Sequence, residues 1–355
     1  QVEQHLKSLG LPLTAEQAKS LLFTDDSPQI FDSLKCHLGC SGTITLPYFA
    51  DELTTIPTEI LCGKISEAAE IAIDYGASSI SLAGMLPSLT DYSFGLTTGN
   101  ELSTAQFTTG HSVTVVAVVK NVAHAIERSG LDIEDLTIAF LGCGSIGQAA
   151  VQLFLRHNPH PSKLILCDLA ANDKLLRQLE LLLKDEVGFR GEIVRLHGGD
   201  QAPAELYTAD VIVGATSQPD VLDVNRLRPG TVVVDDSFPH CFNVHQAIKR
   251  MKSKKDVLII GGGLLSLGHV ERTAHLPDGL SKYGNQLLGE LPSFGMASCQ
   301  LEGLMRAAQP ALPPTKGLVS EPAIEKYWHA VEEFEFSAAP LHLGNYIVEH
   351  DAHNS

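Results

Sequence analysis

Between residues 136 and 261 the sequence alternates in a way that few folds accept. Six short β-branched runs stand at 137–141, 163–168, 192–196, 210–215, 231–235 and 257–261, with helical stretches between most of them. Parallel strands need a crossover about as long as a helix, so this alternation predicts a parallel sheet. Six strands make a complete Rossmann sheet. The first run leads directly into Gly142-Cys143-Gly144-Ser145-Ile146-Gly147, and that turn into the helical stretch 148–153. A G-x-G-x-x-G pattern is weak alone, but here it lies between strand and helix. Gly142 permits the tight turn, Gly144 lets the backbone approach a pyrophosphate, and Gly147 lets the helix pack close. The pyrophosphate is then expected on the helix N-terminus beside Ser145 and Ile146.

Asp168 ends the second run, about 20 residues beyond the turn, where a carboxylate bonds the adenosine ribose and disfavours a 2′-phosphate. That favours NAD(H); Lys174 is the residue that would offset a phosphate. Thr216 and Ser217 follow the fourth run, Asp235 to His240 the fifth, and Gly261-Gly262-Gly263 the sixth. Ligands of such sheets bind at the carboxyl ends of strands, so these loops are expected around the nicotinamide.

Elsewhere the signals are local. Thr14 and Gln17 have the spacing of a capping box, within a stretch 1–35 that reads as helix and loop. A helix is expected over 62–75 and a short strand over 79–83. A polar, Thr-rich loop then ends at Phe107-Thr108-Thr109-Gly110-His111. A long apolar helix over 112–128, stopped by Gly130, reads as a bridge between domains. The Pro- and Ala-rich stretch 308–320 reads as a surface crossing, and the polar tail after Glu349 as frayed. The expected fold class is α/β: a Rossmann-type doubly wound parallel sheet with a second α/β catalytic domain. The expected division is 1–125 for the first part of the catalytic domain, 126–290 for the dinucleotide-binding domain and 291–355 for the return.

Composition removes some functions. The 355 residues carry 25 Lys plus Arg against 42 Asp plus Glu, a formal net charge of −17. An acidic body repels nucleic-acid backbones. No apolar run approaches the roughly 18 residues of a membrane span. Seven cysteines, thinly spread, suit a reducing compartment rather than a disulfide framework. With no basic and apolar leader at Gln1-Val2-Glu3-Gln4, a cytoplasmic protein is expected. No metal is expected, because Cys36, His37 and Cys40, and likewise His240, Cys241 and His245, lack a second ligand pair at zinc spacing.

Cys299 is the candidate nucleophile, since a thiolate is polarizable and attacks thioesters readily. His111 and His240 are candidate proton carriers. Four segments occur in the order seen in cyanobacterial long-chain acyl-[acyl-carrier-protein] reductases, which the chain resembles over roughly 70–305. They are Phe107-Thr108-Thr109-Gly110-His111, the glycine turn, Ala209-Asp210-Val211-Ile212-Val213, and the stretch from Leu291-Pro292-Ser293 to Glu302. The resemblance places Cys299 on that family's catalytic cysteine in Cys-x-x-Glu. It implies NADP(H)-dependent reduction of an acyl thioester, carried on acyl carrier protein or coenzyme A, to an aldehyde through an acyl-enzyme. The basic run 249–255 would then dock an acidic carrier. The pattern 209–217 also suits a non-covalent dehydrogenase or cyclodeaminase-like enzyme acting on a small amino or keto acid. A third alternative is a nucleotide-sensing module without catalysis.

Overall fold

The computed structural model describes residues 13–90, 92, 107–277 and 294–348. The Thr-rich stretch before Phe107, Leu291-Pro292-Ser293 and the tail after Glu349 lie outside these residues. The chain divides into two compact units. One comprises Gln1–Gly110, Leu267–Gly295 and Cys299–Gly317; the other comprises His111–Ser266, Met296–Ser298 and Leu318–Ser355. The division falls between Gly110 and His111, so the long apolar helix goes whole with the second unit.

The second unit is the Rossmann sheet. Its strands are β1 (Thr137–Leu141), β2 (Lys163–Leu169), β3 (Glu192–Gly198), β4 (Val211–Gly214), β5 (Val232–Asp235) and β6 (Leu258–Gly261). They lie in the order β6-β5-β4-β1-β2-β3, all parallel. The order reverses between β1 and β4, which is the crevice where such sheets bind ligands. Register puts Leu141 beside Cys167 and Gly214, Gly214 beside Asp235, and Asp235 beside Gly261. One row of strand ends therefore carries the expected loops.

Helices cover the sheet: α1 (His111–Arg128), α2 (Ser145–His157), α3 (Asp173–Asp185), α4 (Val244–Ser253) and α5 (Glu321–Glu333). Helix α1 is buried on nearly every side, which explains a sequence that is apolar around its whole circumference. It packs on α2, α5 and β5. Asn121, a buried polar residue near its middle, is 1% exposed and hydrogen-bonded through both its nitrogen and its oxygen. The Asn121 amide donates to the carbonyls of Ala117, Gly262 and Leu264 at 2.8–2.9 Å and accepts from Ala339 N–H at 3.0 Å. It thereby fixes the glycine loop after β6.

The first unit begins as expected and then departs. Thr14 and Gln17 form the capping box of helix Ala15–Leu22. Residues 29–35, within the stretch read as helix and loop, belong instead to strand Gln29–Cys36, hairpinned to Gly39–Thr45 and flanked by Glu271–Ala274. Pairing along two edges overrides a weak local signal, and Phe31 and Leu34 turn into the core. Arg272 donates to Asp32 at 3.0 Å and to the Gly295 carbonyl at 2.8 Å. Helix Thr58–Asp74 contributes Leu61, Ile65 and Ala69 to a core shared with Leu46, Leu82 and Phe107.

The basic run divides by direction. Arg250 is 5% exposed, pairs with Asp256 at 2.9 Å and donates to the carbonyls of Val224 and Leu227. Lys249, Lys252, Lys254 and Lys255 remain exposed. Arg250→Ala should cost about 3 kcal/mol, because it removes a buried charge partner and two carbonyl caps. Lys249→Ala should stay within about 0.5 kcal/mol of the parent. Urea unfolding of the two variants checks the contrast.

Candidate functional site

The glycine turn is built by three different constraints. Gly142 has φ +92°, and a Cβ there would lie 2.4 Å from the Ala215 carbonyl oxygen. A Cβ on Gly147 would lie 1.9 Å from the Gly142 carbonyl oxygen. Both glycines are required by the protein's own backbone. Gly144 is different: its φ is −69°, and a Cβ would meet nothing within 4 Å. No packing inside the protein demands glycine there. In a strand–turn–helix of this kind the glycine at this position is the one that lets a dinucleotide's pyrophosphate approach the backbone.

Other groups around the turn fit a dinucleotide. Gly144 caps the 13-residue helix α2, so the first-turn N–H groups of Ser145, Ile146 and Gly147 face the strand-end row. The Ser145 hydroxyl is buried and has no hydrogen-bond partner among the described residues. Asp168 accepts from Cys143 N–H at 2.7 Å through one oxygen, and from Leu169 N–H and Asn172 through the other. It therefore orients the turn as well as lining the cleft beside it. That cleft is bounded by Gly142, Asp168, Gly199, Thr216 and Gln218. Thr216 N–H donates to Ser237 Oγ at 3.0 Å, tying the loop after β4 to the loop after β5. Ser217 is exposed.

At the end of β5 the structure assembles a group that spacing alone did not reveal. Asp235 is 1% exposed, and its carboxylate lies 2.7 Å from His240 Nδ1. It also accepts from Ser237 N–H and Cys241 N–H. The His240 ring stacks on Phe242 at 5.5 Å between centroids. His342, on the hairpin strand His342–Leu343 beside β6, completes the group and was not foreseen. Burial holds its imidazole below the usual range, with the nearby His240 charge acting in the same direction. A histidine among turn residues near the end of a long chain carries no periodic or motif signal.

His111 opens α1 and is 9% exposed. Burial pushes its pKa down to about 4, so near neutrality it is uncharged. Cys299 lies in the first unit, at the first turn of helix Ser298–Ala308, and is half-buried. Around it the first unit brings three distant segments together. Gly110 has φ +73°, and a Cβ there would lie 2.1 Å from the Cys299 carbonyl oxygen. Glu302, fully buried, accepts from Thr108 Oγ1 and from Thr315 N–H. Thr109 N–H donates to the Thr315 carbonyl at 3.0 Å. Strand Phe107–Thr108 pairs with Ile80–Ser81, and Ser81 Oγ accepts from Gly303 N–H at 2.9 Å. Glu302 thus holds the Thr108–Gly110 turn against the cysteine's helix.

Three of the other thiols are poorly placed for attack. Burial, helped by Asp235, pushes the Cys241 thiol far up, and burial holds Cys143 up in the same way. Cys167 is pushed to about 12 by burial and then by Asp168. These groups stay protonated, and a thiol is a weak nucleophile. Among the described residues no group of three or more His, Cys, Asp or Glu could hold a metal ion. Among the same residues no helix is long and apolar enough to cross a membrane.

No family model and no curated protein matches the chain. Solved structures align at low similarity. Quinate dehydrogenase from Corynebacterium glutamicum in complex with NAD is 14% identical, with TM-score 0.32, over 61% of this chain and 62% of that one. One of the dipicolinate synthase subunits from Bacillus halodurans is 20% identical, with TM-score 0.32, over 43% and 47%. Thermococcus litoralis Δ1-pyrroline-2-carboxylate reductase in complex with NADH and L-proline is 14% identical, with TM-score 0.27, over 35% and 36%. The chain thus spans less than two thirds of the length of each. None of these three is an acyl-thioester reductase.

Two outcomes follow from the site. Gly144→Val should leave the thermal midpoint within a few degrees of the parent while weakening NADH binding by about 100-fold, because its side chain points where only a ligand would be. Gly147→Ala should instead destabilise the fold. Fluorescence titration and calorimetry on both variants separate the two roles. For His111, the unfolded chain takes up a proton near 6.5 and the folded chain only near 4. Its stabilising contribution is therefore present above pH 6.5 and lost as pH falls towards 4, by up to about 3 kcal/mol. Buried His342 acts in the same direction. Unfolding midpoints between pH 7 and 4 should fall less steeply in His111→Asn than in the parent.

Proposed function

We propose that the chain is a nicotinamide-dependent oxidoreductase. The observation that carries this reading is Gly144, a glycine that no neighbour requires, at the N-terminus of α2 and the switch point of the sheet. Gly142, Gly144, Ser145, Ile146 and Gly147 would hold the pyrophosphate, Asp168 the adenosine ribose, and Thr216 and Ser217 the nicotinamide end. The carboxylate of Asp168 favours NAD(H) over NADP(H). The cofactor would supply hydride.

The substrate we propose is an acyl thioester, reduced to an aldehyde by a relative of the acyl-[acyl-carrier-protein] reductases. Support comes from the first unit, where the two segments carrying that resemblance, Thr108 to Gly110 and Cys299 to Glu302, meet in backbone contact. Cys299 Sγ would attack the thioester carbonyl and expel the carrier thiol. The acyl-enzyme would then accept hydride, and the tetrahedral species would collapse to the aldehyde and free thiolate. The exposed Lys249, Lys252, Lys254 and Lys255 would serve an acidic carrier.

A second reading is a non-covalent dehydrogenase or cyclodeaminase-like enzyme for a small amino or keto acid. It is favoured by the contact of His240 with Asp235, which lies in the same unit as the glycine turn. One experiment separates the two. The chain is incubated with palmitoyl-CoA, acetyl-CoA or pyruvate, each with NADH and with NADPH, and followed by cofactor absorbance and intact mass. The expected result is an acyl adduct mapping to Cys299, tighter binding of NADH than NADPH, and a loss of at least about 10³-fold in Cys299→Ala. Undiminished pyruvate reduction by Cys299→Ala would move the assignment to the second reading.

A further inference from the structure

The geometry points to Asp235 and His240 as an acid–base dyad, with His240 Nε2 the proton donor for reduction and Asp235 the residue that positions it. The inference rests on the nicotinamide-dependent reading and on neither choice of substrate. Both reactions consume one proton. A ketone plus NAD(P)H plus H⁺ gives an alcohol plus NAD(P)⁺. A thioester plus NAD(P)H plus H⁺ gives an aldehyde, a thiol and NAD(P)⁺. Some group at the nicotinamide end of the sheet must deliver that proton to the alkoxide oxygen or to the departing thiolate.

His240 is the group built for it. The loop that carries it leaves β5 at Asp235, in register with Gly214 of β4 and Gly261 of β6. Those are the strand ends around the switch point, where the nicotinamide of a bound dinucleotide lies. The carboxylate of Asp235 is buried and oriented by two backbone N–H groups, and it lies 2.7 Å from Nδ1. An anionic acceptor holds the proton on Nδ1 and leaves Nε2, across the ring and away from the strand, as the exchangeable site. Stacking on Phe242 limits ring rotation. The side chain is still 33% exposed, so Nε2 can be reprotonated from solvent after each turnover.

The groups facing it fit this role. Burial, with Asp235 beside it, pushes the Asp236 carboxyl well above the usual carboxylate range. Cys241 is held as a thiol, and His342 as neutral imidazole. Asp235 is left as the one carboxylate in contact with the ring. In the proton step the Nε2–H bond of the imidazolium breaks as an O–H or S–H bond forms. The ring becomes neutral and keeps its Nδ1 proton, which Asp235 accepts as a hydrogen bond.

The positioning role gives Asp235→Asn and His240→Gln different signatures. In the full chain, ¹⁵N-edited spectra of the histidine rings should show neutral His240 as the Nδ1–H tautomer, and Asp235→Asn should shift it towards a mixture. Adding NADH should move the His240 ring signals while those of His329, exposed on α5, stay in place. With whichever of palmitoyl-CoA, acetyl-CoA or pyruvate the wild type reduces, His240→Gln should lose about 100-fold in rate and keep NADH affinity within about threefold. An Nε2–H tautomer in the wild type, His240 signals unmoved by NADH that demonstrably binds, or a His240→Gln rate within threefold of the parent would each overturn the dyad. Failure of the wild type to bind NADH or NADPH is a different result: it overturns the oxidoreductase reading and this role with it. His240→Gln, at a partly exposed position, keeps the test decisive if Asp235→Asn fails to fold.

Discussion

Between Gly142 and the Ala215 carbonyl there is room for a hydrogen atom and nothing larger. The same holds between Gly147 and the Gly142 carbonyl. These two approaches set how α2 leaves β1, and so where the positive end of that helix points. Close packing of backbone on backbone is unforgiving because neither side can rotate away. With the turn fixed, β1 and β4 can end side by side at the switch point. The loops after β4 and β5 are then near enough for Thr216 to bond Ser237. Asp168 reinforces the arrangement from the far side by accepting from Cys143 N–H.

A parallel logic governs the first unit. Gly110 can touch the backbone of Cys299 only because it has no side chain and adopts positive φ. Burying Glu302 carries a large desolvation cost, which its hydrogen bonds from Thr108 and Thr315 offset. A carboxylate with such partners organises what surrounds it, and here it joins a threonine turn, a crossing segment and the helix bearing the cysteine. Glu302 therefore acts on Cys299 through the fold of the unit, with its side chain committed to Thr108 and Thr315.

In both units buried polar residues with several hydrogen-bond partners fix the segments around the candidate residues. Asn121 is the plainest instance: one amide within an apolar helix fixes the glycine loop after β6 through two carbonyls. Asp235 does the same for the loop after β5, and the histidine it orients is the outermost member of its network. Partly satisfied networks of this kind are costly, so they hold one geometry.

Much of the second unit was legible in the linear sequence. The alternation of β-branched runs with helical stretches, and the strand–glycine turn–helix passage at 137–153, are local patterns with local causes. They located all six strands to within about two residues. The capping box at Thr14 was legible for the same reason, since its two hydrogen bonds join residues three apart. Strand Gln29–Cys36 was not, because its pairing along both edges is a long-range event that outweighs its own weak pattern. His342 and the partnership of Asp235 with His240 were equally out of reach, since nothing in a spacing of five residues says which way a ring will turn. The sequence singled out Cys299 by resemblance but said nothing of burial; the structure seals the Cys241 thiol behind Asp235 and leaves Cys299 half-buried in the first turn of a helix. Sequence by itself determined the fold of the Rossmann-type unit, because periodicity and glycine sterics act between near neighbours; tertiary structure alone decided which polar groups are partnered, because burial and orientation depend on residues distant along the chain.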